Sequence, residues 1–204
     1  MSDINEQEII NEISKDEISP EMVMNNLYPF EYNDKDYRVV TPNQMQLVRA
    51  KQHQLKVFAK LVKDGIPVEK KWIKILKETQ DIDIQKLNEE MKRYEKDLIQ
   101  LHLSKAKTKD SEEKTREKID KDIREVEKKR LVLVFERADH LSPCANAQAK
   151  EEYYRWLTAT CTEICVDKEN DKWEKVWKNF DGYQKDQSIF PYIALGKLTD
   201  LIHY

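Results

Sequence analysis

The sequence predicts a mainly α protein: a helical base, a long antiparallel coiled-coil hairpin, and one short β-hairpin. Three observations carry this. Charged residues make up 37% of the 204 residues against 39% apolar, a balance that belongs to long solvated helix faces rather than to a two-sided sheet. Only three glycines occur, Gly65, Gly182 and Gly196, each isolated, so the clustered glycine loops that cradle nucleotide phosphates are excluded. From Ile84 to Leu101 apolar residues recur at alternating three- and four-residue steps, the narrow seam of a coiled coil.

The elements follow in order. Residues 1–27 form an acidic leader in which Asp3, Glu6, Glu8, Glu12, Asp16, Glu17 and Glu21 face the single base Lys15, with isoleucines interspersed and little commitment to a core. Residues 28–82 begin the base. Phe30, Tyr32, Tyr37, Val39 and Val40 flank the turn-forming run Asn33-Asp34-Lys35-Asp36, which predicts the β-hairpin. Thr41-Pro42 reads as a helix cap and first turn, Leu47 to Val62 repeat at helical spacing, and Gly65 supplies the left-handed stop. Val68, Trp72, Ile75 and Leu76 mark one face of a shorter helix ending near Thr79.

Residues 83–141 form the projecting hairpin. Its outgoing seam is Ile84, Leu87, Met91, Tyr94, Leu98 and Leu101, its return seam Ile119, Ile123 and Val126, and the polar stretch 105–110 is the turn, which makes the two helices antiparallel. Leu131 to Phe135, apolar on all sides, predicts that the root of the returning helix is buried. Residues 142–204 complete the base. One helix carries Tyr153, Trp156, Leu157, Cys161, Ile164 and Cys165. A second carries Trp173, Val176, Trp177 and Phe180 and stops at Gly182, and a last one is capped by Ser188. Trp72, Phe58, Phe135 and Trp177 are expected in the base core, Lys107 and Lys109 in solvent at the tip.

Few residues suggest chemistry. Cys161 and Cys165, four apart on a helix, offer two thiolates that Cys144 and His140 would complete as a zinc site, yet plain packing as small core residues is the stronger reading. Glu136, Asp139 and His140 sit at a helix end without the second Glu-x-x-His copy that a di-iron bundle needs. No catalytic, cofactor or metal residue is assigned. The candidate protein-binding residues are Lys105, Lys107, Lys109, Lys114 and Arg116 near the tip, with Tyr153 and Tyr154 on the base. Interleaved glutamates and missing aromatics around the lysines argue against nucleic acid, and a net charge of -3 gives no general attraction to nucleic acid or an anionic membrane.

The order of parts resembles a bacteriophage protein type. An acidic leader and a Tyr-rich strand pair precede Tyr37-Arg38-Val39-Val40-Thr41-Pro42, which opens a helix closed by Asp64-Gly65; a Trp-bearing helix, a long charged hairpin and a helical end with Trp173 and Phe180 follow. This arrangement, from about residue 28 onward, is similar to the tail assembly chaperones and related virion proteins of long-tailed phages. The resemblance implies a non-enzymatic protein that binds virion components or their unassembled precursors, in the bacterial cytoplasm or the particle, as monomer or oligomer. It transfers no site residue. Two other readings stay open: an adaptor or inhibitor of a host protein, and a helical enzyme with a hidden metal or acid/base site. An odd count of three cysteines, no apolar stretch near the roughly 20 residues of a membrane span, and no basic, apolar signal at the start fit the cytoplasm.

Overall fold

The computed structural model describes residues 26–108 and 113–203. Most of the leader, Lys109 and Asp110 of the tip, and Tyr204 lie outside the described residues. Seven helices hold 70% of the described residues, and one antiparallel sheet of four strands holds most of the remaining regular structure. The elements are β1 (Leu27–Tyr32), β2 (Lys35–Val40), α1 (Gln44–Lys63), α2 (Glu69–Gln80), α3 (Ile84–Lys107), α4 (Glu113–Leu141), α5 (Ala145–Cys161), β3 (Thr162–Asp167), β4 (Lys172–Lys175), α6 (Phe180–Lys185) and α7 (Phe190–His203). The chain divides into two compact units. The first is discontinuous, Met1–Lys60 with Ala149–Tyr204, and the second, Leu61–Gln148, is inserted within it.

In the first unit β1 and β2 pair around Asn33 and Asp34, whose φ angles of 51° and 57° make the two-residue turn that matches strand twist. Tyr28 opposite Val39 and Phe30 opposite Tyr37 all point to one face and are buried there. Against them pack Leu157, Cys161, Trp177, Tyr183, Phe190, Ile193 and Leu198 from α5 to α7. Phe190 is the hub, its ring centroid 4.4 Å from that of Tyr37 and 5.6 Å from that of Trp177.

The sheet corrects the expectation of a single β-hairpin. The stretch 162–165, expected to be helical, is β3, pairing Val39 with Thr162 and Tyr37 with Ile164, and Trp173 lies on β4 opposite Cys165. The physical reason is visible in retrospect. Thr158, Thr160, Thr162, Ile164 and Val166 put a β-branched side chain at every second position, which suits a pleated surface better than a helix. Thr158 and Thr160 belong to α5, their hydroxyls donating to the carbonyls four residues earlier, Tyr154 at 2.9 Å and Trp156 at 3.1 Å, and Thr162, which opens β3, still donates to the Thr158 carbonyl at 2.8 Å. Gly182 likewise does not stop a helix; it sits inside α6, donating its N–H to the cap Asn179.

Helix α1 starts two residues later than Thr41-Pro42 suggested. Asn43 is the cap, and it exchanges bonds with Gln46: the Gln46 N–H donates to the Asn43 side chain and the Asn43 N–H to the Gln46 side chain, both at 2.9 Å. It ends at Gly65, φ 91°, where the Gly65 and Ile66 N–H groups donate to Val62 and Leu61 carbonyls.

In the second unit α2 and α3 are separated by Asp81, φ 56°, and by Asp83, which caps α3 through the Gln85 and Lys86 N–H groups. Helices α3 and α4 pack antiparallel. Lys105 pairs with Asp120 at 2.5 Å, Arg130 with Glu95 at 3.2 Å, and Arg137 donates to Asn88 at 2.8 Å, so each step back along α3 is matched by an equal step forward along α4. The α3 residues from Leu87 to Leu101 that repeat at three and four are half-buried, and Ile84 and Ile123 are buried. Leu76, Ile84 and Leu141 make a small second core with Trp72, whose indole N–H donates to the His140 carbonyl at 2.7 Å.

The expected buried root of α4 is the second correction. Leu131, Val132 and Phe135 are exposed and Leu133 and Val134 half-buried, because α4 packs mainly on α3 and α2, which leave part of its circumference in solvent. Trp177 is buried as expected, Phe58 and Trp72 are half-buried, and Lys107 is exposed.

Candidate binding surfaces

The residues chosen from the sequence fall in different settings. Lys105 is half-buried and held by Asp120, whose carboxyl is lowered by that hydrogen bond. Lys107 and Lys114 are exposed, Arg116 is half-buried and engaged, and Lys109 lies outside the described residues. Tyr153 and Tyr154 belong to the first unit, edge to face at 5.3 Å, with the Lys150 ammonium 5.8 Å from the Tyr154 ring. Tyr153 packs on the main core. The lysines and Arg116 are in the second unit, so the two groups are not one described site.

The cysteines are dispersed as well. Cys161 ends α5 and Cys165 lies on β3, so their four-residue spacing does not put them on one helix face. Burial pushes the Cys161 thiol up to about 11. Among the described residues no group of three or more His, Cys, Asp or Glu is placed to hold a metal ion. His140 lies 3.8 Å from Glu136. His53 does gain a carboxylate, Glu152 at 3.4 Å, which it shares with Arg155 at 3.1 Å; the ring of Phe180 stands edge-on at 4.9 Å. No spacing in the sequence could have linked residues 99 apart.

The outer face of the sheet carries a polar ladder. Arg38 and Glu163 are direct partners on β2 and β3, and Glu163 and Lys175 on β3 and β4; Glu163 accepts from Arg38 at 2.7 Å and from Lys175 at 2.8 Å. Burial pushes the Glu163 carboxyl up, but the hydrogen bonds from Lys175 and Arg38 outweigh it and hold the group below its ordinary value. The Arg38 guanidinium lies 4.3 Å over the Trp173 ring. Beside it a shallow groove is lined by Pro29, Asp36, Cys165, Lys168 and Trp173, with Lys168 and Asp36 ion-paired across it.

A different surface is formed by apolar residues in solvent. Ile99 and Leu103 on α3, and Leu131 and Phe135 on α4, are 50 to 62% exposed. Ile99 and Leu131 directly follow half-buried positions on the partner side, Leu98 and Arg130, and Leu103 and Phe135 lie one turn further along the same helices. In an antiparallel pair one step onward turns both helices to the same side. With the pairing of Glu95 to Arg130, the order along the pair is Leu103, Ile99, Leu131, Phe135, a strip about 20 Å long at 1.5 Å per residue. Exposed Lys92, Lys96, Arg124 and Lys128 border it, with Glu95 and Glu127 exposed along its middle. The expectation of a buried root had hidden this strip.

No helix among the described residues is long and apolar enough to cross a membrane. Comparison of the chain with protein-family models, with curated proteins and with solved structures gives no match.

Proposed function

We propose that the protein is a non-enzymatic binding module, and that the α3–α4 pair is a coiled-coil hairpin whose apolar side receives an amphipathic helix of a partner protein. The observation that carries the reading is the basic-bordered strip Leu103, Ile99, Leu131 and Phe135. Large apolar side chains in solvent cost free energy that folding does not recover, whereas a partner helix burying them recovers about 25 cal/mol per Å². The bordering lysines and arginine select a partner face carrying carboxylates. Phage tail assembly is the narrower setting, and it rests on the organisation of the sequence alone.

The test is site-specific photo-cross-linking in the native cell. A cross-linker at Phe135 or Leu103 should capture one discrete protein, one at Glu125, on the other side of the pair, should capture far less, and Ile99→Ser with Leu131→Ser should abolish capture. Equal capture from all positions, or none, would remove the hairpin from the interface. A tail component as captured partner supports the narrower setting; a host protein supports an adaptor or inhibitor instead. Deleting Leu98 to Ile123 behind a short turn should leave the first unit folded and abolish capture.

A further inference from the structure

We infer that the outward face of α1 is a docking face for the protein's own acidic N-terminal segment, residues 3–18. This surface is separate from the hairpin strip, and the inference does not rest on the reading above. Ala50, His53, Val57 and Leu61 turn one side of α1 inward. The opposite side, at steps of three and four, is Met45, Val48, Gln52, Leu55 and Ala59, with Met45 60% and Leu55 57% exposed. A helix with apolar stripes on both sides is expected to be covered on both.

Charge and chain connectivity identify the cover. Helix α1 carries Arg49, Lys51, Lys56, Lys60 and Lys63 and not one acidic residue, so its outward stripe is flanked by cations only. The segment before the sheet has seven carboxylates from Asp3 to Glu21 against Lys15, and it interleaves them with Ile4, Ile9, Ile10, Ile13 and Ile18. Apolar side chains among carboxylates are the complement of apolar side chains among lysines. The segment is tethered at the right end. The Thr41 N–H donates to the Asn26 carbonyl at 2.8 Å, three residues ahead of the first residue of α1. From Asn26 back to Ile13 the chain reaches up to about 43 Å when extended, whereas Met45 to Leu55 spans about 15 Å. A tether this short gives a millimolar effective concentration, at which even a weak contact is occupied.

The test uses the full chain, an equal mixture of ¹⁴N- and ¹⁵N-labelled protein, and zero-length carboxyl–amine cross-linking read by peptide mass spectrometry. The expected products join Glu8, Glu12 or Glu17 to Lys51, Lys56 or Lys60, with both peptides of one isotope. Ile10→Ser with Ile13→Ser, which leaves every cross-linkable group in place, should lower their yield about tenfold or more. Mixed-isotope products would assign the face to a second copy and overturn the inference. So would links from these lysines chiefly to carboxylates outside residues 3–21, or a yield unmoved by the serine substitutions.

Discussion

Glu163 ties three strands together through its side chain, and replacing it by alanine should show how much of the first unit depends on that tie. Two charge-assisted hydrogen bonds are lost, at 2.7 Å to Arg38 and 2.8 Å to Lys175. Such bonds are worth about 1.5 to 3 kcal/mol each when sheltered. The Arg38 side chain is 25% exposed and falls near the lower end; Lys175, at 45%, is screened to about 0.5 kcal/mol. The expected loss is about 2 kcal/mol, or roughly 4 to 8 °C in Tm for a chain of this size. The pH dependence gives the second half of the test. The folded Glu163 carboxyl titrates below its unfolded value of about 4.3, so its contribution is fully present above that value. It is lost as pH falls through the folded value. Thermal melts of wild type and Glu163→Ala should therefore differ at neutral pH and converge near about pH 2. A constant gap at both pH values would mean that packing, not the ion pairs, makes the difference. No gap at neutral pH would refute the ladder as a stabilising element.

Ile123→Ala should cost about 2 to 4 kcal/mol in urea unfolding, whereas Phe135→Ala should change stability by less than about 0.5 kcal/mol, because the first is buried against α3 and the second stands in solvent. Asp34→Gly should stabilise by up to about 1 kcal/mol, since φ of 57° suits glycine at the second turn position; a loss in thermal melts would count against the turn assignment. In the native protein near neutral pH, iodoacetamide should label Cys165, at the edge of the sheet groove, well before Cys161, whose thiol is buried and pushed up to about 11. Peptide mapping by mass spectrometry reads the order, and prompt labelling of Cys161 would contradict its burial.

What the sequence disclosed depended on the range of the forces involved. The β1–β2 turn, the end of α1 at Gly65 and the three- and four-residue repeat of α3 are set by residues within a few positions of one another, and they are readable there. The strand character of 162–166 was readable too, in its alternating β-branched residues, but the neighbouring tryptophans and cysteines also fit a helical period. What decides between the two is the free edge of β2, which lies about 125 residues away and leaves no local mark. Leu131 to Phe135 misled for a related reason. An all-round apolar run states that burial is wanted and says nothing about which neighbours the fold provides. The Glu152 partner of His53 and the ladder on Glu163 are tertiary pairings of the same kind.

The insertion of residues 61–148 into the first unit sets an order of events during synthesis. Strand β2 is complete at Val40, yet its partner β3 ends at Asp167. At about 5 to 20 residues per second, the ribosome takes roughly 6 to 25 s to deliver it. Through that interval the Tyr37–Val39 edge has no strand to pair with, and Phe30 and Tyr37 lack the Phe190 ring that covers them. The helices of the inserted unit, whose contacts are closer in sequence, can form meanwhile. The nascent chain therefore presents an open aromatic strand pair for roughly a million times longer, or more, than a helix takes to form. Slowing translation anywhere between residues 41 and 162 should raise the fraction lost to aggregation, while slowing it before residue 27, ahead of the first strand, should not.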